Sequence, residues 1–515
     1  MDEQDSRTCS STASQLDHEQ GANSRDDSEV TPLLKNHATK PSRTPLPWRQ
    51  LFVLFWIQLA EPLTSQVIYP FINKMVKDMP ITGGDEAKMG YYAGVIESLF
   101  SMTQALTVLY WSRLSDRVGR KPIILIGLVG LTVSMVLFGI NTTFWGLVLS
   151  RCLSGALNGN AGVIKSMMGE ITDETTIAQA MALMPVIWNT GATVGPVIGG
   201  WLSNPHEQFP SIFRGRFWET FPYALPCFVV ALYCAGTFVL TFFYLEESMK
   251  SRSHPSSTLE SGDNTTSHLH SQPLQLPLSQ VLTPQVQMTI ITYTLLAFLD
   301  IALRAVQPLF LTASPSFGGI GFSVPLVGTC LAAFFFASGV YQALAFAPLY
   351  AWMGPKSIYL LSVIMFVPIW ALFPIMSASL DDGGTVNWAT WVEFTVQIIL
   401  YVIMDMGFSV AFIYIRASAP NAYSLGVTNG LGQTGASIAR AIGPASATSL
   451  FAFSVQISRD TPTHIGPVLQ WLGANLVYVV FILISIGAVM TVKRLPEKIE
   501  IIDREGTVDI VDDEV

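Results

Sequence analysis

From Leu51 onward the chain alternates long apolar runs with short polar breaks. A helix rising 1.5 Å per residue needs about 20 residues to cross about 30 Å of hydrocarbon. Runs of that size occupy 51–72, 90–111, 123–140, 144–168, 178–202 and 222–245, and after a polar gap 286–311, 324–350, 357–376, 390–415, 424–453 and 468–491. They are too long for barrel strands and lack alternation of period two, so the pattern predicts helices. The expected fold is an all-α membrane protein of twelve transmembrane helices in two pseudo-symmetric six-helix bundles, 48–245 and 284–495.

Polar segments frame the bundles. Residues 1–47 are rich in Ser, Thr, Asp and Gln, without apolar periodicity or the core of a signal peptide, and are expected to be a disordered cytosolic tail. Within it, Glu29-Val30-Thr31-Pro32-Leu33-Leu34 fits the acidic dileucine pattern of vacuolar and endosomal sorting. Residues 246–283, dense in Ser, His, Pro and Gln, are expected to be a cytosolic linker, and 496–515 an acidic cytosolic tail. Six runs, a hydrophilic middle and six more is the layout of transporters built from two parallel repeats.

Composition agrees with a lipid solvent. Half of the 515 residues are hydrophobic and 13% are charged, against about 25% in soluble domains, and mean hydropathy is +0.43. A net charge of −9 has the wrong sign for a nucleic-acid binder. Cys9, Cys152, Cys227, Cys234 and Cys330 show no metal spacing and read as small hydrophobes. No metal site and no cofactor are expected.

Orientation follows the cations. With the N-terminus in the cytosol, inner segments hold Lys35, Lys40, Arg43, Arg49, Arg113, Arg117, Arg120, Lys121, Lys250, Arg252, Lys356, Arg416, Lys493, Arg494 and Lys498. Outer segments hold only Lys74, Lys77, Lys88, Arg214, Arg216 and Arg459, so both termini are expected inside. The sequon Asn264-Thr265-Thr266 is then cytosolic and bare.

Three motifs carry mechanism. Ser112-Arg113-Leu114-Ser115-Asp116-Arg117-Val118-Gly119-Arg120-Lys121-Pro122 joins the second and third runs. Gly119 and Pro122 suit a tight turn, and Asp116 amid four cations either pairs with them or faces a helix N-terminus of the opposite half as a latch. Arg151 lies inside the fourth run, followed by Gly155 and Gly159. Gly191-Ala192-Thr193-Val194-Gly195-Pro196-Val197-Ile198-Gly199-Gly200 gives the fifth a face of small residues and a proline bend.

The first motif resembles the signature loop of the major facilitator superfamily, G-x-L-x-D-R-x-G-R-K, with Ser112 in place of the first Gly. Trp352-Met353-Gly354-Pro355-Lys356 resembles its degenerate second copy. Arg151 with Gly155 is similar to the R-x-x-x-G motif of proton-coupled members, and the fifth-run glycines to G-x-x-x-G-P-x-x-G-G of the drug:proton antiporters. Leu59-Ala60-Glu61-Pro62 and Asn158-Gly159-Asn160 resemble the fungal relatives of zinc-induced facilitator-like carriers, although the Cys-rich motif of the plant members is missing. The resemblance covers 48–495 and implies a twelve-span exporter.

Ionisable residues inside a bilayer are functional candidates by default. Glu61 and Arg151, on helices expected to be neighbours, make a candidate proton carrier and its modulator, or else a static buried pair. Asp405 lacks a local partner and is expected on an aqueous cavity as a third proton-coupling group. Cavity candidates are Glu97 and Gln104 on one face of the second run, Asn158, Trp188 and Asn189. Asp300, Arg304 and Gln307 form a stripe in the seventh run, and Asn429, Gln433 and Arg440 another in the eleventh. Glu97 is equally compatible with a solvated outer position, and Asp300 with Arg304 is a self-contained i,i+4 pair or a cavity lining. Asp116, Arg117, Gly119, Arg120, Lys121, Gly195, Pro196, Gly443 and Pro444 are expected to form the conformational gate.

The function expected is secondary active transport of a small organic solute by alternating access, in exchange for protons, for efflux or vacuolar sequestration. The other reading is a transport-dead sensor on the same scaffold. No HExxH, GxSxG or filter-like repeat points to an enzyme or a channel. The partners expected are the solute, protons and lipid, around a monomer in the vacuolar or plasma membrane.

Overall fold

Each apolar run is helical in the computed structural model, which describes residues 47–83, 86–172, 177–248, 278–381, 384–420, 424–460, 467–497, 500–502 and 508–510. The dileucine pattern, the sequon and most of the tails and linker lie outside those residues. Five spans are helices without interruption: Arg120–Ile140 (the third), Ile177–Trp201, Ala224–Tyr244, Pro284–Thr312 and Trp388–Ser418. The second, Glu86–Val118, and the eleventh, Leu425–Asp460, extend past the apolar runs that marked them. Val324–Ile364 holds the eighth span and the start of the ninth, folded at Gly354 (φ 72°), and Phe366–Ala378 completes the ninth.

Three spans are broken. The first is Trp48–Gln58, Ala60–Gln66 and Ile72–Lys77; the fourth is Phe144–Leu157 and Asn160–Ile171; the twelfth is Pro467–Ala474 and Leu476–Lys493. Breaking a helix in oil strands backbone groups that water cannot satisfy. At the fourth-span break the Trp111 indole N–H donates to the freed carbonyl of Ala156 at 2.6 Å, and its ring packs where a Cβ of Gly159 would stand. By length and composition, seven helical stretches among the described residues suffice to cross a bilayer, one of them the folded Val324–Ala378.

Among the described residues, side-chain caps start three helices. Thr143 accepts from the Gly146 N–H, Thr283 from Val286 and Asn387 from Thr390. In the second half, rings zip the ninth span to the twelfth: Trp370 stacks on Phe481 at 4.6 Å and Phe373 on Tyr478 at 5.2 Å. Two details depart from expectation. A short helix, Leu278–Val281, lies in the expected linker, and Glu500–Ile502 pairs antiparallel with Val508–Ile510 in the expected C-terminal tail.

Twelve crossings return the chain to the face from which it started, here termed the terminal face. The two halves meet closely toward the opposite, far face. Gly90 and Gly94 of the second span lie against Thr448 and Ala445 of the eleventh, and Ser98 accepts the Ala445 N–H at 2.9 Å. Gly200 of the fifth span meets Gly328 of the eighth, whose added Cβ would stand 2.9 Å from the Gly200 Cα and run into the Pro196 carbonyl. Helices in lipid gain little from hydrophobicity and associate through such backbone approach, which only small residues allow. Toward the terminal face, Gly430 of the eleventh span faces open space and Asn429, Thr434 and Arg440 are exposed. The halves therefore enclose a crevice that is shut on the far side.

Gly328→Val is expected to part the fifth and eighth spans on the far side. In a cysteine-free background, a cysteine at Thr329 should then react at least about fivefold faster with an impermeant maleimide; an unchanged rate refutes the closure.

Candidate functional site

The chain sorts its intramembrane charges into two dry clusters and one wet one. The first dry cluster lies in the N-terminal half. Arg151, 3% exposed, places its guanidinium 4.8 Å from the Phe100 ring centroid and 6.0 Å from that of Phe138. Glu97 of the second span and Tyr69, at the turn after Ala60–Gln66, complete it, both buried within reach of the Arg151 charge. A charge here costs several kcal/mol unless paired, and Arg151 has as its electrostatic partners Glu97 and Tyr69.

The expected Glu61–Arg151 pair does not form: Arg151 is sealed among aromatic rings, with Tyr69 and Glu97 as the groups that act on its charge, and Glu97 is buried rather than solvated. Asn158 is also corrected. It is 1% exposed at the fourth-span break, and its side-chain amide has no hydrogen-bond partner among the described residues, so it is packed away from any cavity.

The second dry cluster spans the seventh, eighth and tenth helices. Arg304 Nε donates to both Asp300 oxygens at 2.8 Å, and Arg304 Nη2 lies 3.8 Å from Asp405 Oδ1. The Ser338 hydroxyl also donates to Asp405, which supplies the partner the sequence did not reveal. Phe335 and Tyr401 cover the guanidinium at 5.0 and 5.8 Å. Gln307 is buried and donates to Gln397 at 3.0 Å. The self-contained i,i+4 reading was thus half of the arrangement: two carboxylates share one guanidinium. Tyr69 and Arg304 line one small cavity, so the two clusters meet at the midplane between the halves.

The wet cluster faces the crevice. Glu61, half-buried on the first span, accepts a hydrogen bond from Gln104 Nε2 at 3.1 Å. Lys165 of the fourth span is exposed yet deeply recessed, and the charges that act on it are those of Glu61 and of Arg440 from the opposite half. Arg440 is exposed, Gln433 is half-buried on the same helix, and Asn429 is exposed nearer the terminal face. Trp188 and Asn189 of the fifth span are half-buried, with Asn189 against Gly339. Reasoning from sequence missed Lys165 and Tyr69. The first was visible as a lone cation inside an apolar run, by the rule that selected Arg151; the second is uncharged and carried no signal.

The gate candidates divide. Arg120 Nη2 bonds Glu170 at 2.9 Å and its Nη1 bonds the Ser115 hydroxyl at 2.6 Å. The Arg120 and Lys121 N–H groups, which open the third span, donate to the two oxygens of Glu247 at 2.9 and 3.1 Å. A carboxylate at a helix N-terminus satisfies orphan donors and meets the positive end of the dipole. Gly119, at φ 113°, sits where a Cβ would be 2.6 Å from that carboxylate. The loop is thus clamped within its own half, by Glu170 and by Glu247, which follows the sixth span. Arg117 is exposed, and the Asp116 side chain lies outside the described residues.

Gly195 packs on Gln66 and Val67 of the first span, while the Pro196 and Pro444 carbonyls face Gly328 and Gly94 across the halves. Gly443 packs against Ile301 and Phe298 of the seventh span. The fifth-span helix runs through Pro185 and Pro196 without interruption, and the Pro196 carbonyl also serves as a contact surface for the opposite half.

Glu170 sits just beyond the apolar part of the fourth span. Burial opposes its charge, but the hydrogen bonds from Arg120 and Ser248 and the Arg120 charge outweigh it and hold the carboxyl below its ordinary 4.5. The clamp is then fully present above pH 4.5 and is lost as pH falls through the lower, folded value. Glu170→Gln is expected to cost about 1 kcal/mol at neutral pH. Its melting temperature should converge with that of the wild type under acid, whereas a constant offset across the titration contradicts the clamp.

Comparison with known proteins agrees with this architecture. Residues 54–444 match the profile of the Major Facilitator Superfamily. Efflux pump azaK of Aspergillus niger is 30% identical over 82% of this chain and 85% of its own. ZINC INDUCED FACILITATOR 1 of Arabidopsis thaliana is 26% identical over 90% of this chain and 94% of its own. The inward-facing, unoccupied crystal structure of a bacterial homolog of the human lysosomal transporter Spinster superposes with a TM-score of 0.62 at 15% identity, covering 87% and 97% of the two chains. Twelve helical runs, the loop around Gly119 and the match over most of its length place this chain in the Major Facilitator Superfamily, as an integral membrane secondary transporter of a small molecule.

Proposed function

We propose that this transporter exports or sequesters a small organic solute by rocking two six-helix bundles, 48–245 and 284–495, about a midplane site, in exchange for protons. The linker at 246–283 and both tails lie on the cytosolic side, where Lys and Arg concentrate. The crevice described above is then the inward-open state. One monomer completes the site, and the vacuolar membrane is favoured over the plasma membrane by the dileucine pattern.

The observation that carries this reading is the wet carboxylate. Glu61 is the one acid of the three clusters that stands in the crevice, hydrogen-bonded to the neutral Gln104 and open to exchange a proton with the aqueous side. Asp405 is the second carrier, because a single guanidinium is shared by two carboxylates and a proton can replace the weaker contact at 3.8 Å. Arg151 acts differently: it fixes Glu97 and Tyr69 at the root of the N-terminal half, and holds that half rigid as it rocks. Efflux relatives support export, and the proton-antiporter motifs support exchange.

In proteoliposomes, a panel of organic cations, zwitterions and carboxylates under an imposed pH gradient should contain at least one solute that the wild type accumulates. Glu61→Gln is expected to lose that gradient-driven accumulation at least about tenfold while retaining solute counterflow, and Asp405→Asn to lose part of it. Undiminished accumulation by Glu61→Gln removes Glu61 from the mechanism, and no flux for any solute favours the sensor reading.

A further inference from the structure

At the midplane the two halves come within one water's reach of each other. The small cavity that Tyr69 and Arg304 share is also lined by Gln66 of the first span, and by Gln307 and Tyr401 of the opposite half. It offers about 20 Å³ to the centre of a water molecule, above the roughly 10–15 Å³ that a single water requires. The polar groups around it are under-used. Tyr401 is 4% exposed, and its hydroxyl has no hydrogen-bond partner among the described residues. Arg304 spends Nε on Asp300, but its Nη2 is 3.8 Å from Asp405, beyond hydrogen-bond length, so that end of the guanidinium keeps N–H groups to donate. Gln307 donates its amide N–H to Gln397 and keeps its carbonyl. Gln66, 5% exposed, makes no side-chain hydrogen bond among the described residues.

We propose that this cavity binds one ordered water, which accepts from Arg304 and the Tyr401 hydroxyl, donates to the side-chain oxygens of Gln66 and Gln307, and so bridges the halves. A buried water makes about three hydrogen bonds on average, and this site supplies four. Without it, the Tyr401 hydroxyl is an orphaned buried group of a kind that folded proteins rarely keep. Phe334 and Phe335 stand edge-on to the Tyr401 ring, at 5.2 and 6.5 Å, and hold the phenol at the cavity wall. Tyr359 provides the contrast. It is 1% exposed and its hydroxyl likewise has no partner among the described residues, but it does not line this cavity.

The bridge goes beyond the proposed function and depends on neither cargo nor protons. It joins the first span, through Gln66, to the seventh and tenth, through Arg304, Gln307 and Tyr401. Any rocking that parts these helices must break it, so the water fastens the halves in the arrangement described above. Unlike the glycine contacts of the far side, it is a hydrogen-bonded link, nearly as favourable as a direct bond and able to reform.

Purified full-length protein in detergent tests this in two ways. A brief X-ray pulse splits water into hydroxyl radicals that mark side chains beside a bound water. The Tyr401 ring of the wild type should therefore gain oxygen at least about threefold faster than that of Tyr359. In thermal melting, Tyr401→Phe should lower the melting temperature by at least about 1 °C, because it removes a hydrogen bond in use. Tyr359→Phe should leave the melting temperature unchanged or raise it, because it removes an unused hydroxyl. Gln66→Met should destabilise as Tyr401→Phe does, and the double variant should melt close to the less stable single one, since either change alone unseats the same water. Equal labelling of the two tyrosines overturns the proposal, and so does a Tyr401→Phe protein that melts at or above the wild type. Single-variant shifts that simply add across the halves overturn it as well. The labelling needs no substitution, so it decides even where a variant fails to fold.

Discussion

A charge inside a bilayer must be paired or wetted, and that constraint organises this molecule. Each ionisable side chain in the spans meets it in one of two ways. Arg304 is ion-paired to Asp300, Arg151 is stacked on Phe100 with Tyr69 and Glu97 acting on its charge, and both are largely withdrawn from water. Glu61, Lys165 and Arg440 are held in reach of water by the crevice. The dry pairs lie against the first and seventh spans and give each half a fixed interior. The wet group sits where the halves part, within reach of water. Removing one member of a dry pair leaves a buried charge uncompensated, whereas removing a wet one leaves a charge that water can still solvate.

The asymmetry of packing between the two faces follows from residue size. On the far side, Gly90, Gly94, Gly200 and Gly328 bring backbones together, with the Pro196 and Pro444 carbonyls as the opposing surface. Such contacts have no rotamers to adjust and form only at one separation, so they are held or lost as a unit. Toward the terminal face the corresponding positions carry Lys165, Asn429, Thr434 and Arg440, whose bulk and hydration resist the same approach. A pair of rigid halves touching at one end and charged at the other has two stable arrangements rather than a continuum, which is what a gate needs.

Much of this was legible in the sequence, because lipid leaves few alternatives. Twelve runs of the right length could only be helices, and the loop from Ser112 to Pro122 marked the family. Residues that matter through their own charge were also found: Glu61, Asp300, Arg304, Asp405 and Arg440 all sit in clusters. What the sequence did not carry was the partnering. Glu61 and Arg151 were matched because their helices were expected to adjoin, but the second span packs on the fourth, and Glu97 and Tyr69 are the groups that act on Arg151. Asp405 looked solitary because Arg304 and Ser338 are more than sixty residues distant along the chain. Asn158 was misplaced for a different reason: a helix break turns a residue off the face that 3.6-residue periodicity assigns to it.

The clamp at the signature loop extends the same logic to the second half. In the first half, Gly119 turns the chain at positive φ, and Glu247, just after the sixth span, caps the helix that begins at Arg120. In the second half, Gly354 turns the chain at φ 72°, and Glu497, just after the twelfth span, lies 3.7 Å from Lys356. The two arrangements are equivalent by position, yet unequal in strength. Glu247 accepts two backbone N–H bonds; Glu497 makes one long ion pair with its side chain 85% exposed, where such a pair contributes little. The degenerate second copy of the loop therefore coincides with the weaker clamp. A half whose terminal-face loop is firmly capped moves as a block, while a half whose loop is loosely held can yield first. The firmer of the two clamps thus falls in the N-terminal half, which also holds the sealed Arg151 cluster.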